Sequence, residues 1–122
     1  MVVTYFLDTY AIVEIIKGNP LFTQYLSEKL FTSVFNLYEL YVNILKADSE
    51  ENAKREYFRF LEFVIPINQE HIFRAGKFKV AHLKKSISYT DALGYAIAEI
   101  EHMKFLTGDK EFKNFENVEF VK

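Results

Sequence analysis

The chain has 122 residues, with 15 basic and 17 acidic side chains and a formal net charge of −2. Half of it is apolar, with 13 Phe, 8 Tyr and neither Trp nor Cys, which suits one domain over residues 1–122 and excludes disulfides and thiolate metal sites. The charge balance does not by itself announce a nucleic-acid binder, no stretch approaches the roughly 20 apolar residues of a membrane span, and the start MVVTYFLDTY lacks a secretion signal, so a cytoplasmic protein is expected.

Val2 to Asp8 (VVTYFLD) is a β-branched and aromatic run that ends in an acid and passes at once into a helical period. It reads as the innermost strand of a parallel sheet covered on both faces, with Asp8 at the carboxyl end where such sheets bind ligands. A helix from about Thr9 to Lys17 stops at Gly18-Asn19-Pro20, and Leu21 to Lys29 resumes it. Leu30 to Val34 is a second strand. Asn36 is expected to cap the next helix, with Glu39 at its third position and Phe35 stapled to Leu40, and this helix runs to about Lys46.

Asp48-Ser49 opens a helix whose inner face carries Ala53, Tyr57, Phe60 and Leu61. Phe63 to Ile67 (FVIPI) is a third strand, pushed to an edge by Pro66. Gln69 to Lys84 is helical with Phe73, Gly76, Val80 and Leu83 inward, and Tyr89 to about Glu101 follows with Leu93, Ala96, Ile97 and Ile100 inward. Lys104 to Thr107 is a fourth strand, Asp109 to Phe115 a short helix, and Val118 to Val121 a fifth strand. The pattern predicts a doubly wound α/β sandwich, a mostly parallel five-stranded sheet flanked by helices.

Four acids sit where elements begin: Asp8, Glu39, Asp91 and Asp109. Each has a structural explanation as a helix cap or capping-box partner. Together they say more, because strand-to-helix turns of a parallel sheet share one end and would bring these acids onto one rim. Crowded carboxylates oppose one another's ionisation, and a divalent cation relieves the repulsion. Oxygen ligands without His or Cys select Mg²⁺ or Mn²⁺ over zinc, and phosphodiester hydrolysis suits such a centre.

The motifs Asp8-Thr9-Tyr10-Ala11-Ile12, Leu37-Tyr38-Glu39-Leu40, Ser88-Tyr89-Thr90-Asp91-Ala92-Leu93 and Thr107-Gly108-Asp109-Lys110-Glu111-Phe112 resemble, in order and spacing, those of PIN-domain ribonucleases, VapC-type toxins in particular. The resemblance covers essentially the whole chain. It implies a PIN-like fold and a Mg²⁺- or Mn²⁺-dependent endoribonuclease acting on RNA, often a homodimer, held inactive by a VapB-like antitoxin. Carried over, Asp8 and Asp91 are the principal metal ligands, Glu39 and Asp109 complete the quartet, and Thr9 and Thr107 are hydroxyls that orient a carboxylate or water. Tyr10 stands where Ser or Asn is common, and Gly94-Tyr95 where small or aliphatic residues are, so that Tyr95 is a candidate to line the cleft.

Lys84 and Lys85, with Lys77 and Lys79, are candidate RNA contacts, and Lys17, Lys46 and Lys110 weaker ones. His71, His82 and His102 fit no metal-ligand spacing and read as surface or satisfied core residues. Phe22, Tyr25, Tyr38 and Tyr41 either fill the core or form an antitoxin or dimer surface. A catalytically silent PIN module that binds RNA or protein is the alternative function. A phosphoacceptor receiver fits less well, lacking the paired acids after the first strand, and no GxGxxG marks a dinucleotide site.

Overall fold

The structure is a computed structural model and describes residues 2–122. Four strands, β1 Thr4–Leu7, β2 Lys29–Phe31, β3 Lys104–Thr107 and β4 Val118–Phe120, form one sheet in the order β2-β1-β3-β4. Every pairing is parallel, and Phe6 stands between Phe31 and Phe105 in the register. Among the described residues six α-helices connect and cover the sheet: α1 Thr9–Ile16, α2 Pro20–Thr23, α3 Val34–Ala47, α4 Glu50–Phe60, α5 Gln69–Ala81 and α6 Tyr89–Ile100.

Side chains of β1 alternate between two cores. Tyr5 and Leu7 join Leu106 and the apolar residues of α1, α3 and α4, whereas Phe6 joins Phe105, Phe112 and the inner face of α6. The first core is mainly aliphatic around Ile12, Leu37 and Leu40. In the second, Phe105 lies 4.8 Å from Phe112 and 5.7 Å from Tyr95 between ring centroids. Helix α6 can press onto this layer because residue 94 is glycine: a β-carbon there would sit 2.7 Å from the Phe6 ring.

The expected third strand, Phe63 to Ile67, is not formed, so the sheet has four strands where five are expected. Phe63 to Ile67 contributes one parallel bridge, Val64 with Thr32, held by Thr32 N–H to Phe63 O at 2.9 Å and Ile65 N–H to Thr32 O at 3.1 Å. Pro66 has no N–H with which to continue the ladder. The start of α3 also differs. Its cap is Ser33, whose Oγ accepts from Asn36 N–H, and the helix is already under way at Val34. Phe35 is 47% exposed and does not staple the buried Leu40.

Helix α5 is rotated from the expected facing. Phe73, Gly76, Val80 and Leu83 lie outside, while His71, Ala75 and Phe78 face inward. His71 explains the rotation: its Nδ1 accepts from Asn68 N–H at 3.1 Å in a capping box, and its Nε2 reaches Glu101 at 2.8 Å. The buried polar anchor decides the face that apolar spacing alone left open. Beyond α2, Gln24–Ser27 tightens into a 3₁₀ turn, and the last short helix is a 3₁₀ turn at Lys110–Phe112. No helix among the described residues is long and apolar enough to cross a membrane.

Candidate active site

The carboxyl ends of β1 and β3, the amino ends of α1 and α6, and the second turn of α3 surround a cleft of about 680 Å³. Asp8, Glu39, Asp91 and Asp109 all line it. The acids placed by four separate elements therefore meet in one cavity.

Asp8 follows the last residue of β1 and is almost completely buried. It is also the N-cap of α1: one carboxylate oxygen accepts from Ala11 N–H at 2.8 Å, and the other accepts from the Thr107 hydroxyl. Burial pushes its pKa up to about 8 despite these two bonds, with Asp91 and Asp109 adding to the rise. Asp91, in the first turn of α6, is pushed up to about 6 by burial first and then by Glu39 and Asp109, while hydrogen bonding from Ser88 offsets part of the shift. Asp109 caps the 3₁₀ turn after β3 through Glu111 N–H at 3.0 Å. Capping and a place in the cleft are thus roles of the same side chains.

Both threonines act across elements. Thr107 Oγ donates to Asp8 on the neighbouring strand and accepts from Asp109 N–H at 2.9 Å, so one hydroxyl ties the first acid to the fourth. Thr9 Oγ donates to Glu39 Oε1 at 2.7 Å and accepts from Asn36 Nδ2 at 3.1 Å. Asn36 Oδ1 in turn accepts from Ser33 Oγ at 2.6 Å. The donors run one way, Ser33 to Asn36 to Thr9 to Glu39, and the line ends on the Glu39 carboxylate as acceptor.

Asn36 and Ser33 were not among the expected site residues. The signal is the three-residue spacing of Asn36 and Glu39, which shares a helix face wherever the helix begins, and with Ser33 as the cap Asn36 is free to reach Thr9.

Other expectations sort plainly. Tyr95 does not line the cleft: it is buried, and its hydroxyl donates to Glu116 O at 2.6 Å. Lys84 and Lys85 are exposed and also lie outside the cleft lining, Lys85 with its ammonium 5.4 Å from the Phe115 ring centre. The lysine in the cleft is Lys17, 3.5 Å from Glu14, which lines it too. Tyr10 and Tyr38 complete the wall as its aromatic residues. Phe22 is core, Tyr25 and Tyr41 are partly buried, and Tyr38 is 65% exposed.

The donor set is all oxygen, and two of its members are held above the usual carboxylate range. Such a set fits a hard cation. Among the described residues no three His, Asp or Glu side chains are gathered closely enough to enclose an ion.

A family profile described as the PIN domain matches residues 5–118, a span that includes all four acids. The chain belongs to the PIN domain family. No match to a curated protein sequence was found. Solved structures share the PIN fold over nearly their whole length. VapBC2 from Rickettsia felis, bound to a fragment of its promoter DNA, matches at 21% identity with a TM-score of 0.76, covering 98% of this chain and 99% of that one. VapBC-1 from nontypeable Haemophilus influenzae matches at 20% identity and 0.76, with 96% of each chain covered. The sarcin-ricin loop cleaving toxin VapC20 from Mycobacterium tuberculosis matches at 16% and 0.78, covering 97% of this PIN chain and 99% of that one. At these identities the likeness is one of fold.

Proposed function

We propose that the protein is a Mg²⁺- or Mn²⁺-dependent endoribonuclease, the toxin of a VapBC-type pair, built as a single PIN domain and working in the cytoplasm. The observation that carries this reading is the meeting of Asp8, Glu39, Asp91 and Asp109 in one cleft with Asp8 and Asp91 held above the ordinary carboxylate range. Membership of the PIN family and fold likeness to VapBC structures support it.

Asp8 and Asp91 are the residues to hold the cation, with Glu39 and Asp109 adding negative charge around it. When bound, such an ion would lower the pKa of water and stabilise the negative charge that develops at a phosphodiester during hydrolysis. The chain's own part is positioning. Ala11 N–H and the Thr107 hydroxyl fix both oxygens of Asp8, and the Asn36 to Thr9 line turns Glu39 into the cleft as an acceptor. The amino ends of α1 and α6 favour the ionised acids once a cation is present.

A partner that silences the site needs a surface leading to it. A second groove of about 400 Å³ between α1, α3 and α4, with Ile16, Leu40 and Ile44 in its wall, shares Val13, Lys17 and Asn43 with the cleft. A VapB-like segment laid there reaches the acids. The exposed side chains Ile72, Val80, Leu83 and Tyr89 beside α6 offer an apolar face for a second copy.

The test is thermal unfolding of wild type and Asp91→Asn in EDTA and then across a Mn²⁺ titration, followed by RNA cleavage. Wild type should gain about 2.7 kcal/mol at a hundredfold excess over Kd, cut RNA with Mn²⁺ and stop with EDTA, while the variant gains little and does not cut. A protein that binds RNA with no cleavage under any metal condition is the silent module instead.

A further inference from the structure

Five acidic side chains, Asp8, Glu14, Glu39, Asp91 and Asp109, line the cleft against one lining cation, Lys17, 3.5 Å from Glu14, and a second ammonium, Lys122 Nζ, is held beside the cleft by the Tyr10 hydroxyl at 2.8 Å. An RNA backbone entering this cavity meets like charge well inside the screening length of about 8 Å at physiological salt. Phosphate contacts therefore do not hold RNA at the rim before the metal is engaged. The aromatic faces in the lining are two rings, Tyr10 and Tyr38.

Tyr38 stands immediately before Glu39 on α3 and leaves 65% of its surface open. Tyr10, immediately after Thr9, is fixed: it packs 5.9 Å from Phe22, its ring lies where a β-carbon of residue 108 would be, and its hydroxyl accepts from Lys122 Nζ at 2.8 Å. Each ring directly follows or precedes a member of the hydrogen-bonded Thr9–Glu39 pair. An open ring and a fixed ring at an acidic centre match the way single-stranded nucleic acids are held by stacking on aromatic faces.

We propose that Tyr38 is a nucleobase-stacking platform at the mouth of the cleft, with Tyr10 as the rigid second ring, so that RNA is gripped there by its bases more than by its phosphates. The inference rests on the ribonuclease reading and adds the substrate's mode of binding to it. It has a signature that backbone binding lacks. Single-strand affinity falls with salt in proportion to about 0.7 of the number of phosphates neutralised, and a cleft whose two nearby cations are already engaged, Lys17 beside Glu14 and Lys122 on the Tyr10 hydroxyl, gives a shallow slope.

The experiment uses single-stranded RNA dodecamers of mixed sequence carrying one 2-aminopurine, with affinity read by anisotropy and stacking by quenching of emission, in EDTA and at several salt concentrations. Stacking is tolerant of sequence, so wild type should bind and quench, Tyr38→Phe should stay within about twofold, and Tyr38→Leu should lose about tenfold with the quenching. A Tyr38→Leu variant that binds and quenches like wild type overturns the proposal. So does a steep salt slope, wild type that binds no RNA, or a loss confined to binding of a protein partner. Cleavage with Mn²⁺ is followed in parallel. Cleavage whose KM is unchanged by Tyr38→Leu removes the platform and leaves the nuclease, whereas Tyr38-dependent binding without cleavage leaves the platform and removes the nuclease.

Discussion

Strands β1 and β3 carry Phe6 and Phe105 into an aromatic layer and, two residues later, Asp8 to the cleft and Thr107 to its support behind Asp8, and these neighbouring regions are held by opposite means. The aromatic layer removes rings from water and packs them in stacked, tilted and edge-to-face pairs, and each contact favours folding. The cleft buries carboxyl groups against one another, and its protonation preferences show that the fold works against their charge. Damage to the first region should cost stability; neutralising the second should add it.

The largest effect belongs to Phe105→Ala, which empties a fully buried site between Phe6, Tyr95 and Phe112. Denaturant unfolding should show a loss of about 3–5 kcal/mol. Next is Asn36→Leu, which keeps the bulk but leaves Thr9 and Ser33 without their shared partner. A loss of about 1–3 kcal/mol is expected, together with reduced cleavage because Glu39 loses its brace. Unchanged stability would mean that water replaces the amide and that the line is not needed.

The smallest effect carries the opposite sign. With Asp91 at about 6 in the fold and 3.8 as its ordinary value, the contribution of its neutral form is complete below pH 4 and is lost as pH rises through about 6. Asp91→Asn does not suffer that loss. In EDTA the Tm of the variant should therefore exceed that of wild type at pH 7, and the gap should close toward pH 4. A gap that does not depend on pH would assign Asp91 to the aromatic layer's rules, as an ordinary helix residue.

Much of this was readable from local chemistry. An apolar run ending in Asp8 gave the inner strand, and Thr107-Gly108-Asp109 gave the next rim position, because a parallel sheet puts all such turns at one end. The misreadings had tertiary causes. Phe63 to Ile67 has strand composition, yet β2 offers it only Thr32 as a bridge partner and Pro66 ends the ladder. Phe73 and Val80 have a helical period, yet His71 turns α5 so that they face outward, and the helix ends at Ala81, before Leu83. Lys84 and Lys85 precede Asp91 in sequence, but α6 carries that acid into the cleft and leaves them outside its lining.

Gly108 and Tyr10 bind this site to its own history. Any side chain at 108 would overlap the Tyr10 ring, which Lys122 holds by its hydroxyl. A lineage can enlarge residue 108 only after residue 10 has become small, and a lineage that has acquired Tyr10 cannot readily give up the glycine. The two positions are therefore coupled, and a change at 108 is damaging for as long as residue 10 is a tyrosine.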